Sequence, residues 1–450
     1  MVANDTKAWQ ASENDVGPFA DSKGSDEVTL QQQKPPTSPV PDGGFEAWMI
    51  VVSGFITTLN ACGFVNCFGV FQASYISPGG LLETYSPSAI SWIGSLQTFF
   101  VFFPALVIGR IADAGYVRST VFVGTCIMIF GILMTSIAKP GQYYQFFLAQ
   151  GVCVGIGLCP IFIPPVTVAA HWFKRKHALS LGIGASGASV GGCLYSILLK
   201  HLLPKIGFAW SLRVVALIIG VTQIIPLIFL KPRLPARPLK GQQFLDLEVF
   251  HNPVYVLVHL GLFLAFMGLY TPFFNIELFA FANGLSLDLA FYTLPILNAA
   301  STIGRILPAL IADRFGSLNS LIPCIGTTGC LLFVWMGCTT QKGIITFSVF
   351  YGFTSGAFVS LPPAVVAALS EAPDRTGIRV GQMLSIVSVA TLIGPPIANA
   401  IIGPLRQLRP GGGSEIFNDG AIFAGAVVMG GFATLVLARI VYDRRFSIKI

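Results

Sequence analysis

Charge is scarce in this 450-residue chain: Asp, Glu, Lys and Arg make up 10% of it, against about 25% in an ordinary soluble domain. Hydrophobic residues account for 54% and the mean hydropathy is +0.73. So few charges could not cover a water-soluble particle of this size; the chain is composed for a bilayer. Long basic runs are lacking as well. The longest is Lys174-Arg175-Lys176, and the net charge of +7 is dispersed between apolar segments, where it sets topology instead of gripping a nucleic acid. The nine cysteines show no CxxC spacing and each lies in or beside an apolar stretch. They read as small core hydrophobes and exclude a disulfide framework or zinc site. Catalytic constellations are missing too. His171, His177, His201, His251 and His259 are scattered without metal-ligand spacing, and no phosphate-binding loop occurs. The expectation is a protein that is not an enzyme and carries no cofactor, so that uphill movement of a solute would draw on an ion gradient or on exchange.

What is present is a series of apolar runs. A helix needs roughly 20 residues at about 1.5 Å each to cross the hydrocarbon, and twelve such runs lie near 47–74, 90–108, 119–138, 144–170, 178–199, 209–230, 254–281, 289–311, 318–338, 343–369, 380–403 and 419–441. With both ends inside, the inner segments hold 19 Lys and Arg and the outer loops 6, the asymmetry expected of cytoplasmic termini. Residues 1–41 are polar, without the apolar stretch of a signal peptide, and predict a disordered cytoplasmic tail. A Pro-rich basic stretch opens the longest inner connection, 231–253, which reads as a linker between a six-helix bundle over 42–230 and another over 254–442; 443–450 form a short cytoplasmic end. The halves echo each other. Ile111-Ala112-Asp113 follows the second span and Ile311-Ala312-Asp313 the eighth, while Pro164-Pro165 answers Pro362-Pro363. The predicted fold class is an all-α membrane protein: twelve transmembrane helices in two pseudo-symmetric six-helix bundles, the arrangement of a rocking transporter with its ligand between the halves.

This organisation resembles the major facilitator superfamily. Pro41-Asp42-Gly43-Gly44-Phe45-Glu46-Ala47-Trp48 before the first span, and Trp172-Phe173-Lys174-Arg175-Lys176-His177-Ala178-Leu179-Ser180-Leu181-Gly182 entering the fifth, look like two signatures of its monocarboxylate porter family, especially the fungal branch. The resemblance covers about 41–443 and identifies a family without a cargo. It also implies departures. Animal lactate carriers of the family have a lysine where Asn66 stands, and an acidic residue one turn before the arginine of the eighth span, where this chain has Ser301; Arg305 itself remains. Gly109-Arg110-Ile111-Ala112-Asp113 and Asp313-Arg314 resemble the superfamily's short inner loops, whose carboxylates cap a neighbouring helix and bias one state against the other. Gly109, Arg110, Asp113, Asp313 and Arg314 are the gating candidates, with purely topogenic charge as the rival account.

Arg305 is the sharpest substrate-binding candidate, because a cation inside a membrane helix costs several kcal/mol and faces a wet cavity or a partner. Asn298 and Ser301 share its helix face at i, i+3, i+7 spacing, and a guanidinium there suits a carboxylate, enolate or phenolate. Snorkelling to the interface is the alternative. Asn60, Asn66, Gln97, Gln150 and Asn399 are neutral hydrogen-bonding groups within apolar runs, able to orient a ligand or to bridge helices. Tyr270, Phe273, Phe274 and Tyr292 are the expected aromatic lining. Glu277, toward the outer end of the seventh span, could serve a co-transported proton if burial raises its pKa; pairing with Arg213 or plain exposure is the rival account. The glycines and prolines of the fourth, fifth and eleventh spans, among them Gly191 and Gly394-Pro395-Pro396, suit either flexing or close packing.

The resulting expectation is a secondary transporter that moves a small organic solute, an organic anion or secondary metabolite, across the plasma membrane by alternating access, in the direction of export. Uptake of a monocarboxylate or vitamin is the alternative, and a non-transporting membrane sensor the alternative of another class. The expected partners are a small-molecule substrate and the lipid bilayer, with a co-transported proton as an option, no nucleic acid, and a monomeric state.

Overall fold

A computed structural model describes residues 43–77, 79–170, 172–173, 177–232, 245–370, 375–403 and 415–443. The tail 1–41, much of the 231–253 linker and the end 444–450 lie outside the described residues, as do Pro41, Asp42 and the Lys174–Lys176 run. Among the described residues all regular structure is helical.

The first half comprises α1 (Phe45–Asn66), α2 (Phe68–Ile76), α3 (Pro87–Phe102), α4 (Ala105–Asp113), α5 (Val117–Ser136), α6 (Tyr143–Phe146), a π-helical stretch (Phe147–Val154), α7 (Gly155–Ala170) and α8 (His177–Phe229). The second comprises α9 (Pro253–Leu269), α10 (Thr271–Ala282), α11 (Leu287–Phe315), α12 (Ser317–Trp335), α13 (Gln341–Ser360), α14 (Pro362–Ala368), α15 (Thr376–Ile402) and α16 (Ile416–Tyr442). Several crossings are interrupted where proline withholds a backbone N–H from the preceding turn: Pro104 between α3 and α4, Pro272 at the start of α10, Pro362 at the start of α14. Side-chain caps fix other starts. Ser86, Asn252, Ser286 and Thr340 each accept a hydrogen bond from a backbone N–H of the first turn.

Among the described residues eleven continuous helical stretches are long and apolar enough to cross a bilayer. The longest, Leu179–Phe229, has 51 residues, about twice what one crossing needs, and Gly207 at φ 76° breaks it. It is therefore the fifth and sixth spans joined through a kink, and the twelve expected crossings are present. The duplicated Ile-Ala-Asp segments end α4 and α11 at the same end of the molecule, each followed by a left-handed glycine, Gly115 at φ 92° and Gly316 at φ 94°. A side chain with a Cβ strains in that conformation, so both turns use the same residue for the same reason.

The outer surface carries Phe122, Phe130, Leu217 and Val221, each more than half exposed. Such an apolar belt is stable only against lipid. Within the first half α1 packs along α8, and within the second α11 packs along α13 and α9 along α16. Across the halves α8 meets α11, α3 meets α15 and α2 meets α10. The α1–α8 contact is close because Gly191 has no side chain. A Cβ there would sit 2.2 Å from the Leu59 carbonyl oxygen, which assigns this glycine to packing. Gly394 is likewise pressed against Met267, where a Cβ would lie 2.0 Å from the carbonyl oxygen.

Candidate substrate cavity

Between the halves lies a cavity of about 830 Å³, lined from α1, α3, α4, α7 and α8 on one side and by Tyr270, α11, α13, α14 and α15 on the other. On α1 the lining runs from Ile50 to Asn66, about 24 Å of helix rise, so the cavity reaches deep into the apolar layer. It opens at the end that carries Asp113 and Asp313, both of which line it and are exposed. Its walls are chiefly apolar, with Phe102, Leu106, Phe162, Ile163 and Leu384 contributing. Arg110 and Arg375 lie near the mouth, and Arg305 lies further in.

The far end is sealed. Phe68 and Phe274 meet across the halves with ring centroids 5.0 Å apart. Gln72 Nε2 donates to Asn275 Oδ1 at 3.1 Å and Ser88 Oγ to the Pro396 carbonyl at 2.8 Å. Gly69 presses on the Phe273 carbonyl so closely that a Cβ would lie 2.5 Å from its oxygen.

Arg305 projects from α11 into this space and is only 6% exposed. Its Nη1 donates to the Ala185 carbonyl at 3.4 Å, a long bond, and its buried Nε has no hydrogen-bond partner. No carboxylate pairs with it among the described residues. Buried donors are almost always satisfied, so this guanidinium retains capacity for an incoming acceptor. Tyr270, Cys62, Thr58 and Asn66 line the same cavity. Asn66 Nδ2 donates to the Ala188 carbonyl at 3.3 Å, and Thr58 Oγ1 bridges α1 and α8 through the Gly54 and Gly184 carbonyls.

The other sequence candidates are distributed differently. Gly109, Arg110, Asp113 and Asp313 line the mouth, whereas Arg314 is exposed and outside the lining. Asn298 and Ser301 share a helix face with Arg305 but lie in the α8–α11 contact. Ser189 Oγ donates to Ser301 Oγ at 3.2 Å, and Asn298 faces Gly192 so closely that a Cβ there would lie 2.6 Å from Oδ1. Gln97 and Gln150 sit off the cavity in a chain in which Tyr75 Oη donates to Gln150 Oε1 at 2.5 Å and Gln97 Nε2 to the Gln150 carbonyl at 3.1 Å. The π-helical stretch places Gln150 there. Asn399 is buried, with neither amide atom hydrogen-bonded, and is also outside the lining.

Asn60 accepts from Tyr195 Oη at 2.6 Å and donates to Thr222 Oγ1 at 2.9 Å, so one amide ties α1 to both limbs of α8. Replacement by Leu is expected to destabilise the protein by about 1–2 kcal/mol, with transport per folded molecule unchanged. Thermal unfolding in detergent beside flux in vesicles checks both parts.

Of the expected aromatic lining only Tyr270 faces the cavity; Phe273 and Phe274 belong to the seal, and Tyr292 lies beside Lys200. Glu277 is half-buried, its Oε2 without a hydrogen-bond partner, and no pairing with Arg213 forms, since Arg213 stacks on Trp210. Sequence reasoning passed over Arg375 as topogenic. It lines the mouth at the start of α15, 3.1 Å from Glu248 and 3.5 Å from the buried Asp246, which also holds Arg379 at 3.0 Å. Asp246 at the end of the linker was the available signal.

The family model described as Major Facilitator Superfamily matches residues 59–395, across both halves and the linker. The chain belongs to the major facilitator superfamily. This facilitator is 38% identical to the aspyridones efflux protein apdF of Emericella nidulans, over 90% of this chain and 80% of that one. It is 36% identical to the MFS transporter asaE of Aspergillus flavus, over 95% of each, and 33% identical to the agnestins efflux protein AgnL12 of Paecilomyces divaricatus, over 95% and 94%. Among solved structures it superposes on the nucleoside transporter NupG with a TM-score of 0.68 at 11% identity. It superposes on the human organic anion transporter MFSD10 with 0.66 at 13%; each alignment covers 87% of this chain and all of the other. At such identities the likeness establishes the fold alone. It is a multi-pass membrane protein of a transporter family.

Proposed function

We propose that this facilitator exports a small, largely apolar organic anion, a secondary metabolite, by alternating access, and that Arg305 anchors the anionic group. The carrying observation is the buried Arg305 Nε, unpartnered in a cavity whose remaining walls are mostly apolar. Asn66 and Tyr270 are placed to orient the bound acid, and Phe102, Phe162 and Leu384 to cover its apolar body. The relatives named as efflux proteins support the direction and the substrate class. The resemblance of two sequence motifs supports reading the chain as a member of the fungal branch of the monocarboxylate porter family. With Asn66 and Ser301 replacing the lysine and acid of lactate carriers, a larger and weaker acid fits better than lactate.

The excess of inner Lys and Arg supports a cytoplasmic cavity mouth with both termini on the same side, and on this reading the membrane is the plasma membrane. Cargo would enter beside Arg110 and Arg375 and be released outside after the sealed end parts and the mouth closes on the paired Asp113 and Asp313 turns. A proton gradient or exchange would drive the cycle, with no chemical transformation of the cargo.

A fungal host deleted for competing exporters, loaded with a panel of weakly acidic aromatic metabolites, tests this. Expression should speed loss of at least one from the cells, and a protonophore should slow it. Accelerated accumulation across the panel would instead establish uptake.

A further inference from the structure

At the sealed end Lys200 of α8 crosses from the first half into the second. Its Nζ lies 2.9 Å from Asp288 Oδ1 and donates to the Asp288 carbonyl at 3.2 Å. The same ammonium stands 4.1 Å from the ring centroid of Tyr292 and 4.7 Å from that of Phe291. Each of these partners belongs to the first turns of α11. The Lys200 side chain is 18% exposed and Asp288 87%, so the carboxylate stands at the rim while the ammonium is mostly covered.

An exposed ion pair contributes little by itself, because water and salt screen it. Two ring faces within about 6 Å of an ammonium change that balance, since a cation partly stripped of water is attracted to the negative faces of aromatic rings. Rings plus carboxylate make a receptor for an alkylammonium group, and Lys200 occupies it as a ligand tethered to the opposite half. Parting of the halves at this end must withdraw that ligand. The receptor remains behind intact, because Asp288, Phe291 and Tyr292 move together on one helix.

We propose that Asp288, Phe291 and Tyr292 form an ammonium socket, plugged by Lys200 in the sealed state and open to a small organic ammonium ion once the halves part. Lys200 is then the latch of the sealed end, and external alkylammonium ions compete for its seat.

Spin labels on Glu83→Cys and Lys342→Cys, exposed positions on opposite halves at this end, report the separation in lipid nanodiscs, in a cysteine-free background. Lys200→Ala is expected to raise the ratio of parted to sealed molecules about threefold or more. Millimolar n-butylammonium, which supplies the missing ammonium and methylenes, should restore the sealed distribution, while n-butanol should not. Adding Tyr292→Ala to Lys200→Ala should abolish that rescue. Because Asp288 is exposed, Asp288→Asn tests the latch with little risk to folding and should shift the ratio in the same direction. Unchanged distances in both single variants, or equal rescue by n-butanol, would overturn the socket.

Discussion

Arg305→Ala is expected to lower transport about 100-fold while the protein still inserts and folds. A charge-assisted contact to a carboxylate or enolate in a low-dielectric cavity is worth about 2–3 kcal/mol, and each 1.4 kcal/mol is a factor of ten. Folding should survive because the guanidinium contributes so little to the fold: one long bond to the Ala185 carbonyl. Arg305→Lys supplies the charge without the planar two-pronged donor, and should retain a fraction of the activity with a raised KM. Counterflow in proteoliposomes gives the flux, and gel filtration with thermal unfolding verifies the fold. Normal flux in Arg305→Ala would remove the anchor.

The neighbouring residue should behave in the opposite way. Gly304→Val is expected to abolish folded protein, because a Cβ at Gly304 would lie 1.9 Å from the Phe353 carbonyl oxygen and 2.7 Å from its carbon. Backbone cannot yield as a side-chain tip can, so α11 and α13 must separate along their shared face. Overpacking typically costs about 1–3 kcal/mol even where side chains can shift, and this contact offers no such relief. Gly430→Ala is the control, since its added Cβ has nothing nearer than Leu264 Cδ1 at 3.8 Å. The amount of monodisperse protein after extraction separates the two, and wild-type yield from Gly304→Val would contradict the packing account. Adjacent positions on one helix thus divide between cargo and fold.

Much of the architecture was legible because lipid imposes one rule on every crossing. Backbone polar groups must be satisfied within the segment, so a span announces itself as an apolar run of helical length. The kinked α8 shows that rule at its margin: Gly207 marks the division between two spans that follow each other with no intervening polar loop. The site was only partly legible. Arg305 stood out because a buried cation in a membrane helix demands a reason. Asn60, Gln97 and Gln150 carried the same kind of signal and face neighbouring helices, because an amide in hydrocarbon is satisfied equally well by a ligand or by a second helix.

Arg439 illustrates the same ambiguity for charge. It is fully buried near the end of α16, with Nε donating to Asn319 Oδ1 at 2.7 Å and Nη1 to the Asp443 carbonyl at 2.5 Å, so its guanidinium is used up in holding helices together. Nothing in its sequence surroundings distinguishes that role from the topogenic one assigned to basic residues at span ends. Hydropathy, loop charge and the duplicated turns suffice for twelve crossings, their pairing into halves and a transporter class, since each depends on solvent and on neighbours close in the chain. Which arginine meets a cavity, which amide meets a helix, and which end is sealed depend on partners more than a hundred residues away, such as Ala185 for Arg305 and Asn275 for Gln72. Those pairings exist only once the two halves have packed.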